Sequence, residues 1–255
     1  MRRWTILVAV PLLILFYFNA DGTEAEKSSK KLRKQTTTIR TTLPVDEEKK
    51  ALNEAQAWLK SINYNLTLEQ VKNLKRLRLQ LYGSFNGVST QTLISNQNMR
   101  HLQVFKNLEI LTLPTWTSDE GLSNVAGLTK LQTLNVPNAR ITNAGMVYIK
   151  NLTQMRSLVL TAANIDDTGV TNLASLSNLY ILNLSNTGIT DAGMTAVAKL
   201  AGLNKLFLNR TSITDASIPH IIKLKSLERL DITGAKISAA GRQRIQEAIP
   251  GITIH

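Results

Sequence analysis

The hydrophobic residues of the chain recur in one pattern, L-x-x-L-x-L, between residues 74 and 232. From Leu108 onward, successive copies of the pattern begin 23, 24, 24, 24 and 24 residues apart. An earlier copy begins at Leu74, 34 residues before Leu108, so this first unit is about ten residues longer than the others. The regular copies begin at Leu108, Leu131, Met155, Leu179, Leu203 and Leu227.

Each unit divides into two halves with different periods. Numbered from the first leucine of the pattern, positions 4 and 6 are apolar and alternate with polar residues, which predicts a strand. Positions 16, 19 and 22 are apolar in the second half, as in Met194, Val197 and Leu200. This spacing places them on one face of a helix. Every unit is therefore predicted to be one strand followed by one helical segment.

Position 12 predicts where each helical segment begins, because it always holds a good N-cap residue. An acid usually follows at position 13, where it would favour the positive end of the helix dipole. Position 15 is glycine in all six units but one, which has Ser217. Since glycine costs about 1 kcal/mol inside a helix, its return predicts close packing between neighbouring units. The position-12 residues are Ser118, Thr142, Asp166, Thr190, Thr214 and Ser238.

The phrase LNLSNTGITDAGM, residues 182–194, resembles the leucine-rich repeat in its ribonuclease-inhibitor-like or cysteine-containing-like bacterial style. The resemblance covers roughly residues 66–254 and implies an α/β leucine-rich-repeat solenoid. Such an arc or horseshoe has parallel strands on its concave face and helices on its convex face. The resemblance implies function by binding and no chemistry. Residues 80–107 do not fit the period, so their register is not predicted.

The N-terminal part divides into three predicted segments. Residues 1–20 have two arginines, an apolar run and a final small residue, which is typical of a secretory signal peptide. An uncleaved N-terminal membrane anchor is the alternative. Residues 21–45 are rich in Thr, Lys and Ser and are predicted to be a disordered linker. Residues 46–255 form the predicted repeat domain, with a capping helix at 46–62 for which Asp46 would be the N-cap.

These segments predict a secreted or extracytoplasmic protein, free or anchored through its N-terminal segment. Membrane contact is expected only through the N-terminal part of the chain. The basic run within residues 27–34 could touch anionic lipid or wall polymer, or serve only as a solvated spacer.

The composition argues against an enzyme. There is no cysteine, which excludes disulfides, thiolate nucleophiles and cysteine metal sites. The three histidines have no metal-type spacing, and no phosphate-binding or nucleophile motif occurs. The recurring aspartates, including the adjacent pair Asp166 and Asp167, are better explained as capping residues than as general acids or bases. We therefore predict no enzyme activity, no cofactor and no metal.

The predicted binding surface consists of strand residues that point away from the core at positions 3 and 5, because repeat proteins hold partners on the concave face. The expected partner is a protein or peptide of unknown identity. A second candidate is the stretch YGSFNGV, residues 82–88, with Tyr82 and Phe85; a merely degenerate repeat is the alternative. The predicted partner-binding residues are Arg76, Arg78, Ile181, Asn183, Lys205, Phe207 and Arg229.

The charge suggests a rival partner. The net charge is +12, and beyond residue 50 the chain has 20 basic and 12 acidic residues, or +8. A cell-envelope polyanion or carbohydrate is therefore the alternative ligand. Nucleic acid is not expected, because an exported protein leaves the cytoplasm.

Overall fold

The structure is a computed structural model that describes residues 45–81, 83–85 and 87–255. The described residues belong to one compact unit, Pro44–His255. The predicted signal segment 1–20 and nearly all of the predicted linker 21–45 lie outside them. No helix within the described ranges is both long and apolar enough to cross a membrane.

The main sheet contains eight parallel strands in chain order, and the helical half of each unit supplies the crossover from one strand to the next. The position-4 leucines are matched from strand to strand, so Leu158 lies beside Leu134 and Leu182, and all three are fully buried. Each unit supplies one strand that cannot bury its apolar face without its neighbours. The strands are β1 (Arg76–Arg78), β4 (Ile110–Thr112), β5 (Thr133–Asn135), β6 (Ser157–Val159), β7 (Ile181–Asn183), β8 (Lys205–Phe207), β9 (Arg229–Asp231) and β10 (Thr253–Ile254).

Short helical segments form the opposite side of the solenoid. Because a helical turn is wider than the 4.8 Å spacing of neighbouring strands, the strand side is shorter and becomes concave. The predicted α/β solenoid is confirmed. The α-helices are α1 (Val45–Ser61), α2 (Leu68–Lys72), α3 (Thr90–Leu93), α4 (Asp119–Ser123), α5 (Asp167–Val170), α6 (Met194–Val197), α7 (Ile218–Ile221) and α8 (Ala239–Ala248). The 3-10 helices are Asn98–Val104, Gly145–Tyr148, Thr171–Leu173 and Asp215–Ser217.

Helix α1 covers the N-terminal end of the core. It buries Ala55, Trp58 and Leu59, and the indole nitrogen of Trp58 donates a hydrogen bond to the carbonyl of Leu93 at 2.8 Å. The helix begins at Val45, so Asp46 lies within its first turn and is not the N-cap. Its carboxylate there still favours the positive end of the helix dipole.

The irregular first unit contains an insertion between its strand and its helical half. Residues 80–93 include the antiparallel hairpin of β2 (Ser84–Phe85) and β3 (Val88–Ser89), followed by α3. The regular pattern resumes at buried Ile94, which occupies position 11. Met99, Leu102 and Phe105 then take positions 16, 19 and 22 and are buried. This settles the register that the sequence pattern left open.

Candidate binding surface on the concave face

The turn from strand to helix carries hydrogen bonds that join each unit to the next. The carboxylate of Asp119 accepts from the amide of Thr142 at 2.9 Å and from its hydroxyl at 2.6 Å. The same two bonds recur at 2.5–2.8 Å in the pairs Asp167–Thr190, Asp191–Thr214 and Asp215–Ser238. We call this series of contacts between position 13 and the next position 12 the turn ladder. The position-13 acids therefore bind the following unit, a role that the helix-dipole argument did not predict.

One rung of the turn ladder has the opposite chemistry. Position 12 of the next unit is there an acid, Asp166, and position 13 is Asn143. The Asn143 side-chain oxygen accepts from the Asp166 amide at 3.0 Å, and its side-chain nitrogen donates to the Asp166 carboxylate at 2.7 Å. Asparagine supplies both an acceptor and a donor, whereas an aspartate would set two carboxylates against each other.

The recurring glycines make room for the turn ladder. A Cβ added at Gly145 would collide with the Asp119 carboxylate, and one at Gly193 would collide with that of Asp167. The predicted close packing at position 15 is thus confirmed. Ser217 stands in place of the glycine in one unit, and its hydroxyl donates a hydrogen bond to Asp191.

These bonds favour the ionised carboxylates. The amide of Thr168 and the side chain of Asn143 hold the pKa of Asp166 below its usual value. Burial raises the pKa of Asp191, but hydrogen bonds from Ser217 and Thr214 outweigh burial, so that pKa also lies below its usual value. The hydroxyl and amide of Ser238 lower the pKa of Asp215. These carboxylates are ionised acceptors whose bonds hold the turns in place.

The outward residues of the strands form the concave face, which we define as positions 3 and 5 of β1 and β4–β9. The parallel register sets Ile181, Lys205 and Arg229 side by side at position 3. It likewise sets Asn183, Phe207 and Asp231 side by side at position 5. Five of the seven predicted binding residues therefore lie together on β7–β9. Arg76 and Arg78 lie on β1, six strand pairings away from β9.

An aromatic and a cation meet within this group. The Arg229 guanidinium carbon lies 5.6 Å from the centroid of the Phe207 ring, a cation–π distance. Phe207, Ile181 and Lys205 are half-buried, while Arg229 is exposed. The predicted set did not include Asp231. Its place at position 5 of the next unit, beside Phe207, is the feature of the sequence from which it could have been predicted.

The second predicted binding segment, residues 82–88, is only partly described. Tyr82 lies outside the described residues, and the side chain of Phe85 is not described. The backbone there forms the β2–β3 hairpin, on which Val88 is 40% exposed.

Two of the three histidines, His101 and His220, are half-buried. The ring of His101 stacks on Trp58 at 5.5 Å, and burial together with the nearby Arg100 charge lowers its pKa. His220 is half-buried on α7, and its Nδ1 has no hydrogen-bond partner among the described residues. Within the described ranges, no three His, Asp or Glu side chains are grouped to hold a metal ion.

Comparison with known proteins supports the fold. A leucine-rich repeat family profile matches residues 177–237, and no curated protein matches the chain. Among solved structures, an internalin (inlF) from Listeria monocytogenes is 22% identical with a TM-score of 0.58, covering 72% of this chain and 48% of its own. Internalin C2 from the same organism is 19% identical with a TM-score of 0.56, covering 80% and 92%. A leucine-rich-repeat protein from Leptospira interrogans is 20% identical with a TM-score of 0.51, covering 74% and 50%. Residues 45–255 thus fold as a leucine-rich-repeat solenoid.

Proposed function

We propose that this protein is an exported, non-enzymatic leucine-rich-repeat scaffold that binds a protein or peptide on its concave face. The observation that carries the proposal is the group on β7–β9, where Phe207 and Arg229 form a cation–π pair beside Ile181 and Lys205. Aromatic and arginine side chains carry much of the binding energy in protein interfaces. Export rests on residues 1–20 of the sequence, and secretion or anchoring through that segment belongs to the same proposal.

The non-enzymatic part of the proposal is supported by the turn ladder. Asp166 and Asp167 are the adjacent acids that could act as a general acid–base pair, and both are engaged in bonds between units. We also propose the ribonuclease-inhibitor-like or cysteine-containing-like subclass, on the strength of the phrase I-T-D-A-G at residues 189–193 and its variants I-T-N-A-G at 141–145 and I-T-D-A-S at 213–217.

The second candidate is a cell-envelope polyanion or carbohydrate. It is favoured by the charges of the concave face, where four bases stand against one acid, Asp231, among the described residues. The bases are Arg76, Arg78, Lys205 and Arg229. Affinity that arises mainly from such charges falls steeply as ionic strength rises.

The test is affinity capture from the protein's own cells with the full chain, washed at low and then at high salt. The concave variant is Lys205→Ala/Phe207→Ala. A matched control on the convex side, Lys199→Ala/Tyr148→Ala, removes the same kinds of side chain from exposed positions. Thermal unfolding of all three proteins checks that each is folded.

We expect a specific protein to be retained at high salt, lost with the concave variant and kept with the control. Equal capture by both variants would contradict binding on the concave face. Recovery of anionic polymer alone, released by high salt, would favour the second candidate.

A further inference from the structure

We infer that the partner segment is an extended acidic peptide that crosses the strands, with acidic groups at both ends and one apolar side chain on Phe207. This inference rests on the proposed function and deepens it by giving the chemistry of the partner. The features that support it are the distribution of charge, the half-buried Phe207 side chain and the length of the concave face.

Basic side chains stand at the two ends of the concave face. Arg76 and Arg78 are exposed on β1, and Lys205 and Arg229 lie on β8 and β9. None of these four forms an ion pair with a described residue, whereas Lys75, on the rim beside β1, is paired with Glu109 at 3.0 Å. The four cations are therefore available to carboxylates of a partner.

The middle of the concave face is uncharged. Strands β4, β5 and β6 present only neutral side chains, which are half-buried. A polymer with charge along its whole length would find basic partners only at its two ends. A peptide whose acids flank a neutral stretch matches this distribution better. The neutral residues are Ile110, Thr112, Thr133, Asn135, Ser157 and Val159.

The basic group on β8 and β9 also contains an apolar side chain, Phe207. Phe207 is half-exposed and has Ile181 on the neighbouring strand. The Arg229 guanidinium carbon lies over the Phe207 ring at 5.6 Å from its centroid, and a guanidinium at an aromatic face can still donate N–H groups to a carboxylate. Asp231 lies directly beside Phe207 and repels an acid at that point. An apolar side chain over Phe207, with the acid over Lys205 and Arg229, satisfies all of these groups.

The length of the face sets the spacing of the acids. Five strand pairings separate β1 from β8 and six separate it from β9. At about 4.8 Å for each pairing, the distance is about 24 to 29 Å. An extended chain advances about 3.3 Å per residue, so the two acidic groups are expected about seven to nine residues apart.

The experiment selects random linear 16-residue peptides displayed on phage against the full chain, and then measures affinities of synthetic copies of the enriched peptides. Two variants remove one basic pair each, Arg76→Gln/Arg78→Gln and Lys205→Gln/Arg229→Gln. The control Lys199→Gln/Lys223→Gln removes two exposed charges from the convex side. Phe207→Ala removes the aromatic side chain, and a copy of each peptide with half the spacing between its acids tests the length.

We expect the enriched peptides to carry acids about seven to nine residues apart, with an apolar residue near one of them. Each basic-pair variant should weaken binding about ten-fold or more, while the control changes it less than about two-fold. The peptides with shortened spacing should bind more weakly than the originals.

The results distinguish a failure of this inference from a failure of the proposed function. Enriched peptides without acids that lose binding in Phe207→Ala would overturn this inference and leave the proposed function standing. Peptides whose binding is unchanged by both basic-pair variants and by Phe207→Ala would overturn both this inference and the proposed function. If no peptide is enriched and heparin binds instead, losing affinity in both basic-pair variants but not in Phe207→Ala, the acidic-peptide inference fails in favour of the polyanion.

Discussion

The turn ladder and the concave face lie on the same repeated units and differ in what the repetition preserves. At positions 12 and 13, each unit from Asp119 onward has a hydroxyl or an acid that bonds to its neighbour, and even Asn143 fits its exchanged partner Asp166. At positions 3 and 5, the residues change from arginine to threonine to phenylalanine along the sheet. Positions that repeat hold the units together, and positions that vary are free to recognise a partner.

The largest effect should separate the two faces of a single strand. We expect Leu158→Ala to lower the free energy of unfolding by about 2 to 5 kcal/mol, because Leu158 is fully buried between two other leucines. Its neighbour Ser157 points to the concave face, so Ser157→Ala should change stability by less than about 0.5 kcal/mol. Urea denaturation of both variants measures the difference; equal losses would mean that the two faces are not distinct.

The next effect tests the room that the glycines make. Gly193→Ala sets a methyl group against the Asp167 carboxylate, and we expect a loss of about 1 to 3 kcal/mol despite the better helix propensity of alanine. Gly193→Ser should cost less, since Ser217 shows that a hydroxyl can bond to the preceding aspartate. If alanine were tolerated better than serine in urea denaturation, the carboxylate would not be what excludes a side chain.

A third prediction exchanges the chemistry of one rung. Asn143→Asp would place a carboxylate against Asp166, and we expect the melting temperature at pH 7 to fall by a few degrees. The double variant Asn143→Asp/Asp166→Thr recreates the rung found at Asp119 and Thr142, and it should recover most of the loss. Thermal unfolding followed by circular dichroism measures both; a double variant no better than the single one would contradict pairwise matching.

The turn ladder also predicts a dependence on pH. The pKa values of Asp191 and Asp215 lie below the usual value in the folded state, so their contribution is complete above about pH 4 and is lost as pH falls through the lowered pKa values. We expect Asp191→Asn to be less stable than the natural protein at pH 7 and to lose less stability on acidification. Urea denaturation between pH 7 and pH 2.5 gives both slopes, and parallel slopes would rule out Asp191 as a contributor.

The smallest effect concerns the turn between the two regions. Ala162 has φ of 55° in the left-handed region, where the corresponding residues of neighbouring units are Asn138 and Asn186. Asparagine tolerates this conformation better than alanine, so Ala162→Asn should raise the free energy of unfolding by up to about 1 kcal/mol. Asn186→Ala is the matched reverse change and should lower it. A scan of both variants in urea would show opposite signs if the backbone conformation is the cause.

Much of the fold followed from the sequence pattern. The alternation at positions 4 and 6 predicted every strand from Ile110 to Asp231, and the glycines predicted close packing at position 15. The first unit was harder, because its ten additional residues break the period between Leu79 and Ile94. A fixed period does not predict the structure of inserted residues, and the register can be assigned again only where the chain returns to the core, at Ile94.

The candidate site was less accessible to sequence reasoning. The pattern placed all seven predicted residues on the outward side of strands, and the structure brings five of them together on β7–β9. It did not single out Asp231, and it did not show that Arg229 lies over Phe207. That contact is diagonal between neighbouring strands, so it depends on the conformations of two side chains rather than on spacing.

The sequence by itself determined the repeating unit, because a 24-residue period with two apolar faces can be buried only by stacking on copies of itself. It also determined which residues could point outward. Only the tertiary structure decided which residues meet across units: Asp119 with Thr142, Asn143 with Asp166, and Phe207 with Arg229. The physical reason is that hydrogen bonds and ring contacts form over a few ångströms, and residues about 23 positions apart reach that distance only when the units are stacked in register.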